Sequence, residues 1–184
     1  MSVMVTFLRH LKQPLINCDN LMEGYHIGMK SGEIEGAAMC LCPYAFAGLY
    51  LGKQLDVVVA ELAGFRQTYR EAFTQHFTIQ SLNPVHQFAL NMMGLSENPL
   101  ILSGDVMSES AFLLSVRQSN NEVAEEVLHV MRMLLLYIMN EIEEASKEIP
   151  KLDLEASRGT FCVPIYVDVC RPRRAWNGTE DEKG

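Results

Sequence analysis

No stretch of this sequence is long and apolar enough to cross a bilayer, which takes about 20 apolar residues. Gly36 to Leu51 carries no charge but is too short and holds Pro43, and Val130 to Met139 is shorter and contains Arg132. Both fit buried helices, and no membrane association is expected. Cysteine is sparse and odd in number. Cys18, Cys40, Cys42, Cys162 and Cys170 form no regular framework, so free thiols in a reducing, cytoplasmic setting are expected rather than disulfides. Gly (12) and Pro (7) are too few for a collagen-like or disordered chain. Positive charge is short as well: 15 Lys and Arg stand against 23 Asp and Glu, a net charge of −8. That balance opposes tracking along nucleic-acid phosphates. The only dense basic run is Arg171, Arg173 and Arg174. No apolar segment follows Arg9, His10 and Lys12, so no secretory signal is expected, and the sequon at Asn177-Gly178-Thr179 stands alone.

What is present favours helix. Apolar residues make up 48% of 184 residues, enough for one sizeable core, and Met (11), Leu and Ala are common. Apolar periodicity near 3.6 recurs and strict alternation is rare, which predicts an all-α chain. A first helix is expected from about Asp19 to Lys30, with Asp19 or Asn20 as its cap and Gly32 as its stop. A second should run from Glu33 to Leu51 with a kink or break at Pro43. A third covers Leu55 to Gln75, with Val58, Leu62, Phe65, Tyr69 and Phe73 on one stripe, and a fourth runs from Asn83-Pro84 to Gly94. The segment Ser96 to Asp105 reads as a loop in which Leu100-Ile101-Leu102 anchors an extended piece. Helices then follow at Met107 to Arg117, Asn121 to Met139 and Glu141 to Glu148, the last stopped by Pro150. The long one should bury Val123, Val127, Val130 or Met131, Leu134 and Ile138. Residues 1–166 are taken as one helical-repeat domain, and 167–184 as a disordered or frayed tail.

One internal repeat supports stacked helix pairs. Gly32-Glu33-Ile34-Glu35-Gly36-Ala37 matches Asn140-Glu141-Ile142-Glu143-Glu144-Ala145 at an offset of 108 residues. That offset is close to about three units of a helix-turn-helix repeat. Gly24, Gly28, Gly32 and Gly36 fall at steps of four, as expected where two helix backbones approach closely. The fold expected from these features is an irregular α-solenoid of antiparallel helix pairs.

Candidate chemistry is thin. Gly48-Leu49-Tyr50-Leu51-Gly52-Lys53 has three residues between its glycines and Gln54 where a phosphate loop has Ser or Thr. Cys40 and Cys42 sit two apart, on different faces of a helix, and no second ligand pair completes a zinc site. His10, His26, His76, His86 and His129 form no i, i+4 pair with each other; His129 shares a face with Glu125. Glu141, Glu143, Glu144 and Glu148 read as a solvated helix face. No catalytic residue, metal ligand or cofactor-binding residue is assigned, and no enzyme activity is expected. The rival readings are a small-molecule sensor and a hydrolase built on a Cys/His pair such as one using Cys162.

Two longer stretches carry a resemblance. They are Gly24-Tyr25-His26-Ile27-Gly28-Met29 leading into Ser31-Gly32-Glu33-Ile34-Glu35-Gly36-Ala37, and Ser96-Glu97-Asn98-Pro99-Leu100-Ile101-Leu102-Ser103-Gly104-Asp105. Over about Leu11 to Tyr166 the chain resembles the tetratricopeptide-like helical region of large multidomain signalling ATPases of cyanobacteria and diatoms. The resemblance implies a tetratricopeptide-like fold and a non-catalytic scaffold that contacts protein partners or neighbouring domains. The departure lies at Phe161-Cys162-Val163-Pro164-Ile165-Tyr166, which opens like a further helix that does not continue. A truncated, fragment-like module would leave an apolar end uncapped. Partner binding or self-association is therefore expected through Met131, Leu135, Ile138, Phe161, Ile165 and Tyr166.

Overall fold

The computed structural model describes residues 14–72 and 77–152, and every regular element among them is helical. Seven α-helices follow in order: α1 Pro14–Ser31, α2 Ile34–Tyr50, α3 Leu55–Ala72, α4 Leu82–Met92, α5 Glu109–Gln118, α6 Glu122–Ile138 and α7 Ile142–Glu148. Short 3₁₀ turns at Phe77–Ser81 and Ile149–Lys151 precede α4 and follow α7. The helices expected from periodicity are all present. The first begins earlier than expected, at Pro14, a residue suited to a helix's opening turn. Phe73 and the tail at 167–184 lie outside the described residues.

Five helix ends share one device. After α1, α2, α4, α5 and α6 a single residue turns left-handed: Gly32, Gly52, Gly94, Asn120 and Asn140, with φ between +51° and +80°. The next amide then reaches back five residues. Glu33 N donates to Gly28 O (2.9 Å), Lys53 to Gly48 (2.9 Å), Leu95 to Leu90 (2.9 Å), Asn121 to Val116 (2.8 Å) and Glu141 to Leu136 (2.8 Å). Carbonyls that the helix leaves open are satisfied in this way, and glycine and asparagine tolerate the conformation best. At Gly32-Glu33, Asn120-Asn121 and Asn140-Glu141 the next helix starts at once. The three residues before those helices, Glu33, Asn121 and Glu141, share nearly one backbone conformation, with φ −84°, −87° and −88° and ψ 66°, 74° and 62°. The repeated Glu-Ile-Glu-x-Ala turn is thus a repeated geometry, with Ala37 and Ala145 fully buried in its two copies. A third copy at Asn120-Asn121 has the same shape without the sequence; there the Asn121 side chain caps the helix by accepting from Ala124 N (3.1 Å).

The even-numbered helices carry the core. α4 packs on α2, α3 and α6; α1 lies along α2, and α5 and α7 lie along α6. Buried positions crowd α2, α4 and α6, while α5 buries only Glu109, Phe112 and Val116. Because α6 is gripped from several sides, its buried arc is wider than one stripe. Ala124, Val127, Leu128, Val130, Met131, Met133, Leu135 and Leu136 are all inside. Val123 and Ile138, expected on the buried side, are 50% and 47% exposed, because the flanking helices do not cover the two ends of α6. In α3 the expected stripe holds, with Val58, Leu62 and Tyr69 buried and Phe65 half-buried. Of the kink or break expected at Pro43, the break is absent: α2 runs unbroken through it. Proline removes the amide that would pair with the carbonyl of Met39, an exposed position where water can replace it. Leu100-Ile101-Leu102 is a bent anchor rather than an extended one, with Leu102 fully buried and Ile101 exposed.

The spacing of glycines near α1 has a steric cause at one position. A Cβ on Gly28 would stand 2.9 Å from Ala37 Cβ and 2.9 Å from the Glu33 carbonyl, closer than real contacts allow. Gly64 in α3, by contrast, faces open space. Gly64→Ala should stabilise the chain by about 0.5–1 kcal/mol through helix propensity. Gly28→Ala should lose about 1–3 kcal/mol despite the same propensity gain, because the overlap forces α1 off α2. Urea unfolding of the two variants checks this, and equal signs for both would contradict the packing described.

Candidate functional site

Among the described residues a concavity lies where three helices end. Its walls are Phe46, Leu49 and Tyr50 from the last turns of α2, Phe88 and Met92 from α4, and Met131, Leu134, Tyr137 and Ile138 from α6, with Leu55 from the start of α3. Since each even-numbered helix contributes its C-terminal turns, α2, α4 and α6 gather their carbonyl ends around one apolar pocket of about 420 Å³. Met131 forms a fully buried floor; Tyr50 (69% exposed) and Ile138 (47%) stand at the rim. No carboxylate, ammonium, guanidinium or imidazole lines it, and the tyrosine hydroxyls are its only side-chain polar atoms. Two methionines and four aromatic rings make a surface that adapts to an apolar guest.

Titratable groups converge elsewhere, at the joint between α6 and α7. Glu148 is 2% exposed. Its Oε2 lies 2.7 Å from His129 Nδ1, its Oε1 accepts from Lys151 Nζ (2.8 Å), and Arg132 Nε stands 3.2 Å from Oε1 in an ion-pair geometry. Arg132 also bonds Glu109 of α5, whose other oxygen accepts from Leu102 N (2.9 Å). Burial would raise the Glu148 pKa, but the His129 and Lys151 hydrogen bonds and the Arg132 and Lys151 charges outweigh it and hold the carboxyl below its usual range. The acidic face expected on α7 is therefore divided: Glu141, Glu143 and Glu144 are exposed, while Glu148 is an internal ion-pair partner. The signal was available, since Ala145, Glu148 and Leu152 recur on one helical stripe. This cluster fastens the loop before α5 to α6 and α7. None of its residues lines the pocket at the ends of α2, α4 and α6.

Other buried polar groups also hold the scaffold. Asn91 Nδ2 donates to Ile101 O (2.7 Å) and Pro99 O (3.2 Å), and Gln87 Nε2 donates to Asn91 Oδ1 (2.9 Å), which pins the 95–108 loop to α4. Gly48-Leu49-Tyr50-Leu51-Gly52-Lys53 is the end of α2 and its turn; Lys53 Nζ is held by Glu61 (2.6 Å) and Tyr44 (2.8 Å). Cys40 and Cys42 are both buried, and burial pushes the Cys42 thiol up to about 12, an inert state.

Among the residues expected to bind a partner, Met131 and Leu135 are wholly inside the fold. Met131 is reached only as the floor of the pocket, and Leu135 faces neighbouring helices rather than a guest. Ile138 is exposed at the rim, and Phe161, Ile165 and Tyr166 lie outside the described residues, as does Cys162. Periodicity on α6 alone located the helix but not its partners, so it missed Phe46, Tyr50, Phe88 and Met92 from the helices beside it. Among the described residues no group of three His, Cys, Asp or Glu could hold a metal ion, and no helix is long and apolar enough to cross a membrane. Comparison with protein-family models, curated proteins and solved structures returned no match.

His86 gives the fold a pH dependence. It is buried in α4, and its Nδ1 lies 3.4 Å from Arg66 Nη1, which makes it an acceptor in the neutral form. Burial, aided by the Arg66 charge, pulls its pKa down to about 4 from 6.5. Above pH 6.5 the imidazole is neutral in both states and its contribution is complete. Between 6.5 and 4 the unfolded chain takes up the proton first, so stability falls by at most about 3 kcal/mol. Chemical denaturation across this window should show the decline, and His86→Gln should flatten it; an unchanged slope in the variant would contradict the assignment.

Proposed function

We propose that this chain is a non-catalytic helical-repeat scaffold that holds a protein segment in the apolar groove at the ends of α2, α4 and α6. The observation that carries the reading is the lining: ten apolar or aromatic residues from four helices, with no acid, base or nucleophile among them apart from the hydroxyls of Tyr50 and Tyr137. General acid–base or covalent catalysis needs such a group within hydrogen-bond reach of the reacting atom. A solvated apolar concavity instead matches helix-in-groove recognition, in which a few anchor side chains supply most of the affinity. The row of even-numbered helices flanked by odd-numbered ones supports an irregular, tetratricopeptide-like α-solenoid, since such stacks expose an extended concave face. The similarity of the two quoted stretches to signalling ATPases supports a scaffold role between domains or partners in signal transduction.

A second reading is favoured by size. About 420 Å³ falls within the usual range for small-molecule pockets, so the groove also suits a regulatory apolar metabolite.

Purified chain should bind an uncharged apolar probe such as Nile red saturably, with the far-ultraviolet circular dichroism of the native fold unchanged. Leu134→Glu, which sets a carboxylate on the half-buried wall, should weaken that binding roughly tenfold or more, because an apolar guest would desolvate the charge. Native chain without saturable probe uptake would overturn the groove as a binding site.

A further inference from the structure

Residues 1–13, which precede the described part of the chain, are tethered at the rim of the groove. α1 and α2 run antiparallel from the Gly32 turn, with Gly24 of α1 against Cys40 of α2 and Gly28 against Ala37. The same register carried to the far ends brings Pro14 level with Tyr50, the exposed rim residue. Burial raises the Cys18 pKa and the Lys53 ammonium opposes the rise, as expected where the first turns of α1 stand beside the end of α2. In sequence, Met1, Met4, Phe7, Leu8 and Leu11 fall on one stripe of the helical period, and Ser2, Thr6, Arg9 and Gln13 fall on the other side. Met4, Phe7, Leu8 and Leu11 have the i, i+3, i+4, i+7 spacing by which an amphipathic helix fills an apolar groove. Proline disfavours helix at the residue before it, so with Pro14 opening α1 the stripe is not a straight extension of that helix. Thirteen residues span roughly 20 Å as a helix, the width of three helices packed about 8–10 Å apart.

We propose that Met1–Gln13 turns back at Pro14, crosses the end of α2 and lies in the groove with Met4, Phe7, Leu8 and Leu11 toward Met131, so that a guest enters by displacing it. This rests on the reading of the groove as a binding site and adds a competitor carried by the same chain. The other apolar run outside the described residues, Phe161–Tyr166, is tethered at Leu152 beyond α7. α7 is fastened to the side of α6 that bears His129 and Arg132, whereas Met131, Leu134 and Ile138 fall on the opposite side. That run also holds Pro164 and lacks the four-anchor spacing.

Nile red titration of full-length variants tests the proposal. Leu8→Asp and Phe7→Asp, which put a carboxylate on the stripe, should each bind the probe roughly threefold or more tighter than the native chain. A short tether holds the competing segment at an effective concentration of about 1 mM, so the native chain still takes up probe saturably but more weakly. Thr6→Asp, on the other side of the stripe, should match the native chain. A synthetic peptide of residues 1–13 should displace the probe from the Leu8→Asp chain, and the same peptide carrying Leu8→Asp should not. Equal affinity in all these chains, with no displacement by the peptide, would overturn the N-terminal occupant while leaving the groove as a site. Tighter uptake in Phe161→Asp but not in Leu8→Asp would overturn it in favour of the other end of the chain. Uptake that tightens on dilution of the native chain, with no effect of Leu8→Asp, would overturn it in favour of a second copy. No saturable uptake in any chain of native circular dichroism would overturn the groove itself.

Discussion

A left-handed residue at the end of a helix is the constraint on which this fold turns. At Gly32, Gly52, Gly94, Asn120 and Asn140 one residue of positive φ lets the chain satisfy the helix's last carbonyls. At three of these ends the chain turns straight into the next helix. Short turns of this kind force neighbouring helices to lie against each other, so packing follows from the turn rather than the reverse. The absence of a side chain on Gly28 then allows α1 to close on α2 at the distance the Gly32 turn dictates. Substituting β-branched residues at the turn positions would strain the backbone at each hinge.

The same turns decide where the groove lies. They bring α2, α4 and α6 to a common end, and their last turns supply the walls of one pocket. Specificity of the packing is secured by polar groups kept away from that pocket. Glu148 locks α7 against α6 through His129 and Arg132, and Asn91 holds the long loop against α4. Buried ion pairs of this kind are poor sources of net stability but strongly penalise alternatives in which one partner is left unpaired. The division fits the proposed scaffold role, with charge inside the fold and an apolar groove at its surface.

The helices and their order were legible in the sequence because they depend on local periodicity and on glycine, asparagine and proline at element ends. The turn repeat at Glu33 and Glu141 was legible for the same reason, while its third copy at Asn121 was hidden because the geometry needs only a left-handed asparagine before it. Burial was less legible. Ile138 and Val123 obey the helical period of α6 yet lie exposed at its ends, and Glu148 looks like a surface acid until Ala145 and Leu152 are seen to share its face. The groove was the least legible feature. Its residues come from four helices with up to 92 positions between Phe46 and Ile138, and no spacing rule within one helix connects them. Met131 and Ile138 were identified from α6, but the opposing wall is a product of tertiary packing alone.

Amide hydrogen exchange of the full chain with and without saturating Nile red tests most directly whether the three helix ends form one binding groove. Added protection confined to residues 46–50, 88–92 and 131–138 is the expected result, with α1 and the outer face of α5 unchanged. Protection on α1 or α5 without change at those three ends, or protection at only one of them, would contradict the shared groove.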